Sequence, residues 1–281
     1  MPNGPRQSIL CPNCNKLISS DELTCPHCGI SRPGSPWKNI PITRSLFGGD
    51  QIIRTVIYAN VGMYLISLLL NPTSLGLSPD PFRFLSPSTR SLLLLGSTGG
   101  IPIDQLHRWW TLISANYLHG GLLHIMFNML AFRQIGTLVI REYGLHRFVI
   151  LYTIGGITGF FVSYLAGVRL TIGASAAVCS LIGASLYYGK SRGGTYGQAI
   201  YKQLSGWVLG LFLFGFLVPG IDNWGHGGGI AAGIILGFSL SYQDRRKENH
   251  LHKFLAALCI GSTIAVLTWA ILSSFYFRFL G

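Results

Sequence analysis

A succession of apolar stretches, each near the length needed to cross a bilayer, constrains this chain more than any other feature. A spanning helix needs about 20 mostly apolar residues. Seven such stretches follow one another, at roughly 52–70, 122–141, 146–165, 175–189, 203–219, 226–242 and 254–277. The fourth and sixth are short for a full span. Each is completed by the loop before it, buried in protein at membrane depth. Composition agrees, since 49% of the 281 residues are hydrophobic and only 11% are charged, whereas a soluble domain carries about 25% charged residues. The 36 glycines suit helices that pack closely in lipid. The expectation is an all-α membrane protein.

The formal net charge of +12 is compatible with a nucleic-acid partner or an anionic membrane surface, and the placement of the charges decides between them. With the polar N-terminal head inside, fifteen of the 21 Lys and Arg residues fall on that side, among them Arg141, Lys190, Arg192, Arg245 and Arg246. Five fall outside (Arg83, Arg90, Arg108, Arg169 and Arg278), and Arg133 lies within the second span. This is the positive-inside bias. It predicts a cytoplasmic head and an external C-terminus, and it accounts for the basic balance without nucleic acid. Residues 1–50 are polar and rich in Pro, Gly and Ser, and Met1 to Leu10 lacks the apolar core of a signal peptide. Residues 71–119 include Pro72, Pro79, Pro81 and Pro87, the apolar run Leu92–Leu95 and the pair Trp109-Trp110. That segment reads as an ordered loop at the membrane interface, where Trp rings are favoured, rather than as a mobile linker.

Four of the six cysteines lie in the head, as Cys11-Pro-Asn-Cys14 and Cys25-Pro-His-Cys28. Four thiolates in two C-x₂-C knuckles suit tetrahedral Zn²⁺. A head this small cannot build an apolar core, so the metal would supply its folding energy. Two disulfides are the alternative, and a cytoplasmic location argues against them. His27 is a substitute ligand, although Cys28 keeps the symmetry. Four Cys ligands leave no open position, so the expected role of zinc there is structural. The other two cysteines, Cys179 and Cys259, sit inside apolar runs and read as small core residues.

Three polar groupings stand at the starts of apolar spans. The second span opens with His119-Gly-Gly-Leu-Leu-His124-Ile-Met-Phe-Asn128. His124 and Asn128 are four apart and share a helix face, and intramembrane polar side chains are functional candidates by default. The fourth opens with Gly173-Ala-Ser175. Ser175 at a helix start is either a plain N-cap or a nucleophile whose oxyanion the free N–H groups stabilise. The sixth contains His226, followed by Gly229, Gly233 and Gly237 at intervals of four. That stripe of small residues brings two helix backbones close. If it packs on the fourth span, His226 meets Ser175 as base meets nucleophile.

These motifs in combination resemble the rhomboid family of intramembrane serine proteases. The likeness covers roughly residues 50–245 and rests on Trp109-Trp110, His-Gly-Gly-x-x-His-x-x-x-Asn, Gly-x-Ser and the Gly-flanked His226. The resemblance implies a six-helix bundle with an interfacial first loop and an active site open to the outside. It also implies that Ser175 is the nucleophile and His226 its base, while His124 and Asn128 help the Ser175 N–H hold the oxyanion. No Asp partner for His226 is evident. The implied substrates are transmembrane segments of other proteins, and the implied chemistry needs no cofactor. The expected organisation is a zinc-ribbon head and linker at 1–45, the rhomboid-like core at 50–245 and an additional transmembrane helix at 254–277, with the ribbon open to a protein partner. Three positions depart from the family pattern. Ala176 stands where Gly usually follows the Ser. Thr111 stands where Arg usually follows the Trp pair, with Arg108 just before it. Ile140 stands where Glu is frequent, with Glu142 two places on. Two rival readings are a non-catalytic member of the family that binds client membrane proteins, and a transporter. Against the transporter, the polar residues gather at the outer ends of three helices and no inverted repeat is visible.

Overall fold

The structure is a computed structural model that describes residues 8–11, 16–27, 29–35, 49–72, 76–77 and 84–279. The chain divides into two compact units, Met1–Val56 and Ile57–Gly281.

In the first unit, β1 (Ser8–Leu10) pairs antiparallel with β2 (Leu17–Ser19), Leu10 lying opposite Leu17. The period-2 alternation of strands turns Ile18 inward and Leu17 outward. Ile18 is buried with Cys11 and Cys25, and Ile9 and Ile30 pack against that cluster. The Cys11 N–H donates to Lys16 O at 2.9 Å, and the Cys25 N–H donates to Ile30 O at the same distance. The first cysteine of each pair thus makes a backbone bond to the residue five places on, and both face one small core. Cys14 and Cys28 lie outside the described residues, so the four-cysteine arrangement is not described. Among the described residues no three His, Cys, Asp or Glu side chains are grouped as metal ligands.

Seven helices of 18 residues or more are described. They are α1 (Gly49–Leu69), α4 (Leu122–Tyr143), α5 (Leu145–Leu165), α6 (Ser175–Arg192), α7 (Gly194–Leu217), α8 (Asn223–Leu240) and α9 (His250–Phe279). Five of them, α1, α4, α5, α7 and α9, are long and apolar enough to cross a membrane by length and composition. The two not in that set, α6 and α8, are each 18 residues long. They are the two that the sequence gives as short spans, and they form the centre of the unit. The pair packs most extensively, α5 packs on both, α7 and α4 flank α6, and α9 packs on α5. Helix α6 is buried along most of its length and can therefore be short and carry Ser and Gly, whereas α8 buries its Gly and His face and leaves Trp224, Ile235 and Phe238 exposed on the other. The seventh apolar stretch is therefore one further helix on the outside of α5. Its far end is tied by Arg278 Nε donating to Leu70 O at 3.0 Å. Helix α7 starts at Gly194 rather than near 203, because Gly193 and Gly194, at φ 67° and 66°, turn the chain sharply and the helix restarts at once.

Residues 84–121 are ordered, as the interfacial-loop reading expects. After the hairpin of β3 (Gly76–Leu77) and β4 (Phe84–Ser86) come α2 (Thr89–Leu94), a π turn at Ile101–Gln105, α3 (Thr111–Ser114) and a 3₁₀ turn at Ala115–Tyr117. Ile103, Leu112 and Ala115 of this loop are buried against Phe160 of α5 and Ala176 of α6. Trp109 stays half exposed, edge-on to Tyr164 with ring centroids 5.6 Å apart. At the opposite end of the unit, the carboxylate of Glu248 accepts from His146 Nδ1 and from the Arg147 N–H, each at 2.9 Å. Burial raises the pKa of Glu248, but these bonds and the nearby positive charges outweigh it and hold the carboxyl below its ordinary value. The buried Arg147 side chain donates to Tyr143 O, Arg246 O and Lys247 O, and so joins the α4–α5 turn to the α8–α9 turn.

Candidate functional site

The polar starts of α4, α6 and α8 are brought to one place. Ala174 is the N-cap of α6 and makes no side-chain cap bond, so Ser175 is the first helical residue rather than the cap. The first bond of the helix runs from the Val178 N–H to Ala174 O at 2.9 Å. The N–H groups of Ser175, Ala176 and Ala177 therefore precede the helical ladder and point forward, as the first N–H groups of any helix do. Gly173, at φ 128°, holds a conformation that side chains disfavour. Its N–H donates to Ala115 O at 2.9 Å, which pins the Ser175 loop to the first loop.

His124 meets that loop from the other side. A Cβ placed on Gly173 would lie 2.8 Å from His124 Nε2 and 3.5 Å from Ser175 Oγ. The imidazole edge and the hydroxyl therefore flank the same glycine, and the ring leaves no room for a side chain there. The Gly120 N–H donates to His124 Nδ1 at 3.2 Å. Nδ1 is thus the acceptor, and in the neutral ring the proton sits on Nε2, facing Gly173 and Ser175. The Gly-Gly pair before His124 has a specific use here, since it supplies the N–H that fixes the tautomer. His119 is fully buried and packs edge-on against His124, with ring centroids 5.0 Å apart. Asn128 Nδ2 donates to His124 O at 2.9 Å, leaving the second amide hydrogen for another acceptor.

The glycine stripe of α8 lies against α6, as the sequence predicts. A Cβ on Gly229 would overlap the carbonyl oxygen of Ala176, and one on Gly233 would overlap that of Ser180. One on Gly237 would sit 3.1 Å from Ala184 Cα. Residues 229, 233 and 237 thus face 176, 180 and 184, two rows of small residues at intervals of four. Ser175 and His226 stand at the same end of this contact, beside Ala176 and one turn before Gly229. His226 is buried, and its Nδ1 has no hydrogen-bond partner. Among the described hydrogen bonds none joins Ser175 Oγ to His226.

The departures from the family pattern have local explanations. The Ala176 methyl lies close beside Gly159 of α5, where a Cβ would be 3.1 Å from it, so the space for that methyl comes from a glycine on the neighbouring helix. Thr111 is buried, donates to Arg108 O at 2.6 Å and lies 3.1 Å from Thr98 Oγ1. The Arg108 guanidinium donates to Leu93 O at 3.3 Å, tying the Trp pair to α2. Glu142 Oε1 accepts from Tyr196 of α7 and from Arg141, each at 2.8 Å. Two residues that the sequence does not single out for a role also belong here, Asp222 and Thr171. Asp222 caps α8 by accepting from the Gly225 N–H at 2.8 Å. Its position just before a helix was the available signal, since Asp is a favoured cap; nothing local identifies Thr171.

The sequence model of the Rhomboid domain matches residues 106–243. Rhomboid protease GluP of Bacillus subtilis (strain 168) is 35% identical over 155 residues, covering 55% of this chain and 30% of that protein. RHOMBOID-like protein 4 of Arabidopsis thaliana is 32% identical over 205 residues, 67% of this chain and 52% of its own length. RHOMBOID-like protein 6, mitochondrial, of the same plant is 30% identical over 211 residues, 68% of this chain and 69% of its own length. The chain thus spans about half or less of the first two relatives and more than two thirds of the third. With its long apolar helices and the matched stretch running from the first loop through α8, this chain is a multi-pass membrane protein and belongs to the rhomboid family.

Proposed function

We propose that the protein is an intramembrane serine endopeptidase that cleaves transmembrane segments of other membrane proteins with a Ser175–His226 dyad. One observation carries the reading: the starts of α6 and α8 are in backbone contact, with Ser175 and His226 beside that contact and the Nε2–H of His124 across Gly173 from the hydroxyl. His226 takes the Ser175 proton as the hydroxyl attacks a peptide carbonyl, then returns it to the leaving amine. The first-turn N–H groups of α6, with His124 and Asn128, stabilise the oxyanion. A substrate helix must unwind to present its scissile bond, so glycine near that bond favours cleavage. All seven long helices cross the bilayer, α6 enclosed by the rest and α8 turning its apolar outer face to lipid, with the head in the cytoplasm and the C-terminus outside. No cofactor takes part in the reaction.

The absence of a closed Ser175–His226 hydrogen bond favours a second reading, a catalytically inactive relative that binds client membrane proteins. Resting sites often close such bonds only with substrate bound, so reactivity decides. Purified full-length protein should be labelled covalently at Ser175 by a fluorophosphonate and should cleave members of a panel of single-span substrates. A folded, unlabelled protein would establish the inactive reading.

The oxyanion roles give a separate expectation. Asn128→Ala should lower turnover far more than it changes apparent affinity, by about 10²–10³-fold, since such a donor acts chiefly in the transition state. His124→Ala should do the same, and its loss also frees the Gly120 N–H. Initial rates over a range of substrate concentrations provide the check, and a change confined to KM would remove both residues from the oxyanion site.

For the head, we propose a zinc ribbon with Cys11, Cys14, Cys25 and Cys28 as ligands, offering its surface to a protein partner. The shared burial of Cys11 and Cys25 and their matching backbone bonds fit a thiolate site. Metal analysis of the full-length protein should find one zinc per chain, and Cys11→Ser with Cys25→Ser should remove it. Equal zinc content in wild type and variant would refute the assignment.

A further inference from the structure

The polar residue that binds most elements together near the site is one the proposed chemistry does not use. Asp222 Oδ1 accepts from the Gly225 N–H at 2.8 Å, and Oδ2 accepts from Ser163 Oγ of α5 at 2.5 Å and from Thr171 Oγ1 at 2.9 Å. Thr171 lies four residues before Ser175, in the loop that delivers it. That loop is laddered to the first loop: the Thr171 N–H donates to Thr98 O at 2.7 Å, and the Thr98 N–H to Thr171 O at 3.1 Å. Thr98, Thr111, Ser163 and Thr171 are all buried. Asp222 itself is half-buried, and a carboxylate drawn even partly out of water is costly unless its oxygens are met by donors. Here each oxygen is met, and the donors come from three different elements. None of the bonds goes to the His226 side chain; Asp222 reaches it through the backbone, its own carbonyl accepting the His226 N–H at 3.1 Å.

We propose that Asp222 is the positioning residue of the Ser175–His226 pair, its carboxylate joining the loop that delivers Ser175 to the first turn of the helix that carries His226. The inference rests on the protease reading and deepens it. The glycine stripe sets how near α6 and α8 approach, but two helices in contact can still slide or rotate. The Thr171–Asp222–Gly225 connection fixes the start of one against the start of the other, where the reacting atoms are. Ser163 anchors the same carboxylate to α5, so the pair is referenced to a third helix. The role differs from that of a triad aspartate, which would touch the imidazole and hold its tautomer.

The test uses the full-length protein in detergent, with Thr171→Val, Thr171→Ser and Asp222→Asn, and Thr158→Val as a control for loss of an exposed threonine hydroxyl on α5. The rate of fluorophosphonate labelling at Ser175, kcat and KM on a single-span substrate, and Tm are measured for each. Since a misplacement near 1 Å costs on the order of 10²-fold in rate, partial loosening by Thr171→Val should lower labelling and kcat about tenfold, with KM and Tm nearly unchanged. Thr171→Ser, which keeps the hydroxyl, should regain most of that loss. Asp222→Asn retains an oxygen for the α8 cap but replaces an acceptor with a donor, and its loss should exceed that of Thr171→Val. If that variant does not fold, the two Thr171 variants decide. Equal labelling rates for Thr171→Val, Thr171→Ser and wild type would overturn the inference while leaving the protease reading intact. A wild type that is neither labelled nor active would overturn both.

Discussion

Ser175→Ala and His226→Ala should each abolish cleavage, and combining them should cost no more than either alone. Nucleophile and base act as one unit, and in a serine protease of unrelated fold the loss of either lowers kcat by about 10⁶-fold, with little further loss on removing both. The fold should survive the serine change, because Ser175 is not the cap of α6 and its hydroxyl is not required for a described hydrogen bond. The histidine change removes a ring whose Nδ1 has no partner, so no donor or acceptor is orphaned, although a cavity remains and a lower Tm is expected. The measurement compares cleavage of a single-span substrate by wild type, both single variants and the double variant at matched purity. Near-wild-type cleavage by Ser175→Ala would end the serine-protease mechanism, whatever the family relationship. A double variant much slower than either single one would mean that the two residues act independently.

Gly229→Val should inactivate the protein although it removes no reacting atom. A Cβ at that position overlaps the main-chain oxygen of Ala176 and comes within 3.1 Å of Cys179 Cβ. A backbone oxygen cannot rotate aside, so the helices must separate next to Ser175. A displacement of about 1 Å between nucleophile and base is enough for a loss on the order of 10²-fold. Gly227→Ala provides the contrast. It lies on another face of α8, where an added Cβ would meet only Phe212 Cζ at 3.6 Å, an ordinary van der Waals contact. The two positions lie two residues apart in one glycine-rich run, so general loss of glycine flexibility affects both alike. Gly229→Ala adds the smallest possible wedge and should fall between them. Activity is compared per folded molecule, with Tm measured alongside. Equal activities for Gly227→Ala and Gly229→Val would remove the close approach of α6 and α8 from the account of the site.

The cysteines of the head illustrate how far a local pattern reaches. Cys11 and Cys25 share a small core with Ile18, which two C-x₂-C pairs joined by a short ribbon lead one to expect, while Cys14 and Cys28 fall outside the described residues. In the membrane unit, the approximate place of the long helices was legible in the amino-acid sequence alone, although five of them rather than seven are long and apolar enough to span. Lipid and a buried interior each demand long apolar runs, and such runs are visible one residue after another. The sequence also determined which face of α8 meets a neighbour, because residues spaced by four fall on one side of a helix. The pairing of His124 with Asn128 was legible for the same reason.

What only the tertiary structure decided depends on contacts between residues distant in sequence. That Ser175 is not the helix cap is decided by where the loop pinned by Gly173 to Ala115 releases the chain into α6. That Ala176 fits is decided by Gly159, seventeen residues earlier on another helix. The tautomer of His124 is set by Gly120, and the link between the loop before Ser175 and the start of the helix that carries His226 runs from Thr171 through Asp222 to Gly225. A periodic pattern records which side of a helix is buried, since that needs only the helix's own geometry. Which atoms meet across the buried surface depends on the rotation and offset of several helices at once, and no single stretch of the chain carries that information.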